Sequence, residues 1–148
     1  MKSIYNYTDN QEVIQRIQKL SPDAKPQWGN LTADNLCKQS LLELDIAFGK
    51  QDVRVNPLKK TLLFALKNAY IKCLIHNDCQ SFYKRKHERQ ENFEQLKYEL
   101  IQKISRIGNQ GKHAIMRMHH PFWGKMTYRD WDNLVLKYLD NHLNQFGV

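Results

Sequence analysis

Apolar residues along the chain recur three and four positions apart, and no alternating run is long enough to make a strand. Val13, Ile14, Ile17 and Leu20 predict a short first helix over residues 10 to 20, closed by Ser21 and Pro22. A second helix is expected from about Thr32 to Phe48, with Leu36, Ser40, Leu44, Ala47 and Phe48 along one side and Gly49 as its terminator. Asn56 and Pro57 read as an N-cap followed by proline at the first helical position. They open a third segment that carries Leu58, Leu62, Leu66, Ala69, Cys73 and Leu74 and ends near His76. Phe93, Leu96, Leu100, Ile101, Ile104 and Ile107 form the stripe of a fourth that stops at Gly108, with Glu94, Lys97 and Lys103 on its wet side. The fifth starts at Thr127, where Asp130 three residues on suggests a capping box, and continues to about Phe146. Linkers fall at 21–31, 49–56, 77–87 and 108–126, and the pattern as a whole predicts an all-α chain.

Two linkers repeat one another. Pro26-Gln27-Trp28-Gly29-Asn30-Leu31-Thr32 and Pro121-Phe122-Trp123-Gly124-Lys125-Met126-Thr127 share P-x-W-G-x-[LM]-T, and each leads into a helix. Glycine permits a sharp reversal, the apolar residues can staple onto the following turn, and threonine caps the helix. The two linkers are expected to be matching helix entrances.

Composition narrows the partners. At 148 residues the chain makes one domain, 1–148, and a chain of this size buries about 70% of its unfolded surface without needing disulfide staples. Cys37, Cys73 and Cys79 cannot all pair and lack CxxC spacing, which fits reduced thiols and a cytoplasmic location. No apolar run approaches a membrane span and no leader-like apolar region opens the sequence. The net charge of +8 is concentrated at Lys59, Lys60, Lys67 and Lys72 and in the stretch from Lys84 to Arg89. A basic excess attracts phosphate. Nucleic-acid binding still ranks last, because no aromatic stacking platform or reading helix accompanies the charge.

Candidate chemistry lies on two helices. Trp131, Val135, Tyr138, His142 and Phe146 form one stripe, so two rings with polar tips, Tyr138 and His142, point the same way. A buried phenol or imidazole left unpaired costs about 1–3 kcal/mol, so both need partners or a pocket. Gln39 and Glu43, again four apart, are the corresponding polar pair of the second helix. Gln39 lies seven residues beyond Thr32 and Tyr138 eleven beyond Thr127, a difference of one helical turn. The two pairs could therefore meet across a helix interface. Cys37 is set about 200° round the helix from Gln39 and, like Cys73, reads as a packing residue. His119 and His120 precede a proline in the loop before the last helix and read as solvated, with a pocket-lid role as the alternative; His113, His119 or His120 could swing toward the pocket, but their spacing does not suggest it.

The ending FWGKMTYRDWDNLVLKYLDNHLNQFGV, with PQWGNLTADNLCKQ earlier, resembles the DinB/YfiT-like superfamily. It is most similar to a bacterial subgroup of unknown function whose members end in a pattern like FGxLTxxEWxxLxYKHLDHHLxQFG. The resemblance is strong over residues 26–48 and 120–148. It implies an up-down-down-up four-helix bundle, here with an additional helix, often dimeric. Relatives include metal-dependent thiol transferases, hydrolases and isomerases, whose divalent metal is held by three histidines. Those ligand positions fall on Gln39, Tyr138 and His142 in this chain, and only His142 is a histidine. A neutral amide oxygen and a phenol are poor ligands for zinc or nickel, so no cofactor is expected and either metal should bind weakly. The resulting expectation is a degenerate site, either catalytically silent or used as a pocket for a small ligand. The enzyme alternative keeps His142 as base or sole metal anchor, Tyr138 as acid, and Gln39 or Glu43 as orienting group, acting on an electrophilic or thiol-linked small molecule.

Overall fold

The computed structural model describes residues 2–50, 92–121 and 123–148. The expected third helix, both basic stretches, Cys73 and Cys79 lie outside the described residues. What is described is mostly helical, with four α-helices. The first, α1, spans Tyr7–Gln18; α2 spans Ala33–Ala47; α3 spans Phe93–Gln110; and α4 spans Tyr128–Gln145. Between α3 and α4 lie a 3-10 turn at Gly111–Ala114 and an antiparallel ribbon of β1, His119–His120, with β2, Gly124–Lys125. None of the described helices is long and apolar enough to cross a membrane.

Each helix start has a chemical cause. The Asn6 side chain accepts from the Asp9 N–H and starts α1 three residues earlier than the apolar pattern suggests. Asn92 with Gln95 and Thr127 with Asp130 form reciprocal capping boxes on α3 and α4. Thr32 caps α2 by accepting from the Asn35 N–H at 3.2 Å. The two entrances do match in backbone. Gly29 has φ 74° and Gly124 φ 70°, the left-handed region that favours glycine, and Leu31 and Met126 are both buried behind the capping threonines. They differ in the tryptophan, since Trp123 is buried and Trp28 is exposed.

Helices α1 and α2 each pack against both α3 and α4. Their shared interior is closed by Ile17, Leu36, Leu44, Leu100, Ile104 and Trp131, all within 1% of full burial. Removing a side chain such as Leu or Ile from water is worth about 1.5–3 kcal/mol, so this interior is what holds the bundle. Helix α2 is buried nearly all round, leaving Gln39 and Glu43 half-buried among its apolar turns.

The fourth segment departs from expectation twice. It runs through Gly108 to Gln110, and at Gly108 the missing side chain leaves room for Asn10 of α1: a Cβ there would lie 2.7 Å from Asn10 Cγ. Asn10 itself is fully buried, and its Nδ2 donates to Ile4 O at 2.9 Å and Ile104 O at 2.8 Å. Lys103, expected on the wet side, is buried, with Nζ 2.6 Å from both Asp45 and Glu99. A carboxylate from α2 inside the interface pulls the ammonium inward, which apolar periodicity does not register. The linker from 108 to 126 also holds the short ribbon, where Met126 N–H donates to Met118 O at 3.0 Å.

Candidate functional site

The stripe read from the sequence of the last helix is a buried face. Trp131, Val135, Tyr138, His142 and the capping residue Phe146 are each less than 9% exposed. Across from it, α2 presents Gln39, and the Tyr138 hydroxyl donates to Gln39 Oε1 at 2.7 Å. The Tyr138 and His142 rings meet edge to face with centroids 4.4 Å apart, a favourable arrangement for two aromatic rings. Three of the anticipated residues thus form one cluster. Glu43 lies beside it, lining with Ser40, Leu44, Leu134, Val135, Tyr138 and Leu139 a small cleft between α2 and α4. The Ser40 hydroxyl is turned to its own helix and donates to Leu36 O at 2.8 Å.

His142 is held from a side the sequence reading did not anticipate. Gln145, 4% exposed, places Oε1 3.0 Å from His142 Nδ1 and donates through Nε2 to Trp28 O at 2.5 Å. The backbone carbonyl of the same residue accepts from the Gln27 N–H at 2.7 Å. The last residue of α4 is thereby tied to the loop that enters α2. Gln145 stands three residues after His142, on the same helix face; that spacing was the available signal, but its partner is 117 residues away in the chain.

The second departure is His120. Rather than a solvated loop histidine it is fully buried on β1, between the rings of Trp123 and Trp131 with centroids 5.7 and 5.6 Å away. Its Nδ1 accepts the Trp123 N–H at 3.3 Å, so Nε2 carries the hydrogen directed at Glu43 Oε2, 3.1 Å distant. The Trp131 indole donates to Arg117 O at 2.8 Å and fixes the same ribbon to α4. His113 and His119 are exposed and take no part in this cluster.

Cys37 is fully buried on α2. Burial first, then the Asp34 carboxylate, push its thiol up to about 12. At neutral pH it is a packing group and not a nucleophile.

The residues at the implied ligand positions do not fit a tightly held transition metal. The phenol hydrogen of Tyr138 is committed to the amide oxygen of Gln39, so these two donors satisfy each other. Among the described residues, what remains at these positions is one imidazole, short of the three nitrogen or sulfur ligands that select zinc. Among the described residues no group of three or more His, Cys, Asp or Glu side chains is arranged to hold a metal ion.

Comparison of the chain with family models, with curated proteins and with solved structures finds no match.

Proposed function

We propose that this chain is a DinB-like helical bundle whose metal triad has been replaced, and that it uses the cleft between α2 and α4 to bind a small ligand without metal-dependent catalysis. The observation that carries this reading is the contact between Tyr138 and Gln39 at 2.7 Å with His142 against the same tyrosine. The resemblance assigns these three positions to metal ligands, and a register error of one or two residues on either helix would have separated them. The capped entrances to α2 and α4, with left-handed glycines in the same place, support the same alignment.

The reading has a direct test. Protein purified without added metal should contain no stoichiometric zinc or nickel, while Gln39→His combined with Tyr138→His should place three imidazoles together. Added zinc or nickel should then raise the melting temperature of the double variant through native-state binding and leave the wild type nearly unchanged. A near one-to-one content of tightly held metal in the wild type would overturn the degenerate-site reading. A folded double variant that responds no more than wild type would overturn the alignment.

A further inference from the structure

We infer that Met116, Met118 and His119 form a site for a soft monovalent cation of the copper(I) type, held by two thioethers and one imidazole. The segment that carries them is firmly anchored. Ala114, Ile115 and His120 are buried, and the Met116 and Arg117 N–H groups both donate to Ala47 O, at 2.9 and 3.1 Å. Met118 O accepts from the Met126 N–H at 3.0 Å, and Arg117 O accepts from the Trp131 indole at 2.8 Å. Between these anchors Met116 is 67% and Met118 38% exposed, with His119 exposed beside them, whereas Met126 is buried as core methionines are. One exposed methionine is ordinary. Two of them, a single residue apart on a pinned backbone with an exposed imidazole next in sequence, make a chelate.

Covalent geometry allows the three donors to meet. Residues two apart are separated by at most about 7 Å at Cα, and the unbranched, freely rotating methionine side chain can bring both sulfurs to one ion without moving the backbone. None of the three side chains is committed to a hydrogen bond or ion pair among the described residues. Because the backbone is already fixed, closing the chelate costs only side-chain freedom. Thioether sulfur is a soft, uncharged donor, which selects copper(I) over oxygen-seeking divalent ions. Neighbouring charge acts in the same direction. Lys125 pairs with His119 across the ribbon and Arg117 lies between the two methionines, so a monovalent ion meets half the repulsion that a divalent one would. No residue lining the cleft between α2 and α4 takes part, and the assignment does not depend on the ligand-binding reading above.

The test uses silver(I), a redox-inert ion of the same class, titrated into chloride-free solutions of the full chain isotope-labelled at its methionine methyl groups. Thiolates compete for soft ions, so Cys73→Ser with Cys79→Ser serves as the background; Cys37 is buried and held protonated. The Met116 and Met118 methyl signals, assigned by their loss in Met116→Leu and Met118→Leu, should shift together and saturate at one equivalent, while the signal of buried Met126 stays in place. Either leucine variant, or His119→Gln, should weaken binding by at least about tenfold, since each removes one arm of a chelate. Zinc(II) or nickel(II) at the same concentration should leave both methyl signals unmoved. Leucine is close to methionine in volume, and circular dichroism verifies that each variant is folded. Separate titration of the two methyl groups, an unchanged affinity in a single leucine variant, or a matching response to zinc overturns the site. An unchanged affinity in His119→Gln overturns the imidazole's part in it.

Discussion

Glu43 and His120 stand 77 residues apart in the chain, and Glu43 Oε2 lies 3.1 Å from His120 Nε2. The contact fastens the ribbon between α3 and α4 onto α2, from within the wall of the cleft. It makes Glu43 a structural anchor as well as a cleft residue, a double role invisible in the helical spacing that first singled it out.

Removing that acceptor should loosen the ribbon. Glu43→Ala is expected to destabilise the protein by about 1–3 kcal/mol, the usual cost of withdrawing a partner from a buried polar group. Glu43→Gln, which keeps an oxygen in place, should lose less. Because His120 packs against Trp123 and Trp131, tryptophan fluorescence should change in the alanine variant. Urea denaturation gives the energies; equal losses in the two variants would argue that the acceptor is irrelevant.

The buried ion pair of Lys103 with Asp45 leads to a second expectation. Both side chains are nearly enclosed, at 9% and 13% exposure. Lys103→Ala should cost about 3–5 kcal/mol, since it withdraws the ammonium that Asp45 and Glu99 share inside the bundle. Replacing Lys103 and Asp45 together by leucine should recover most of the loss. A single variant costing under about 1 kcal/mol would mean that water reaches the site more easily than its burial indicates.

Gly108 offers a steric test. Alanine normally stabilises a helix interior by about 1 kcal/mol relative to glycine. Here the added methyl meets Asn10, which cannot retreat without giving up its bonds to Ile4 and Ile104. Gly108→Ala should therefore destabilise by about 1–3 kcal/mol, and the penalty should shrink or change sign in an Asn10→Ala background. A stabilising Gly108→Ala in the wild type would show that α1 and α3 do not approach as described.

Cys37 predicts a pH dependence. The unfolded thiol ionises near pH 8.5, whereas burial holds the folded one neutral up to about 12. Below the unfolded value both states carry the proton and stability is unaffected by this group. As pH rises beyond it the unfolded state loses its proton and the folded state keeps it, so stability falls by about 1.4 kcal/mol per pH unit. Urea midpoints of wild type and Cys37→Ala, followed from neutral to alkaline pH, should converge or cross. Parallel curves would contradict the shift.

The legible parts of the fold are those set by local chemistry. Capping threonines, left-handed glycines and a single apolar stripe on α4 each follow from a few neighbouring residues, and they were enough to bring Gln39, Tyr138 and His142 toward one another. What could not be read depends on partners far along the chain. Lys103 looks like any exposed lysine until Asp45 is placed beside it. His120 looks solvated until a two-residue ribbon carries it between two indoles. Gly108 looks like a terminator unless the buried Asn10 of another helix is seen to occupy the space of its missing side chain. In each case a polar or small residue takes its meaning from tertiary contact, which periodicity does not encode.

The last residue of α4 alters how the helix should move. Helix ends usually open first, because their terminal carbonyls lack partners and little packing restrains them. Gln145 reverses this gradient: its backbone carbonyl receives Gln27 N–H, while its side chain grips both Trp28 and His142. Opening the end of α4 therefore means releasing the start of the α2 entrance at the same time. The slowest amide exchange on this helix should extend to its final turn, and the loop around Trp28, though exposed, should share the opening free energy of the bundle instead of breathing on its own.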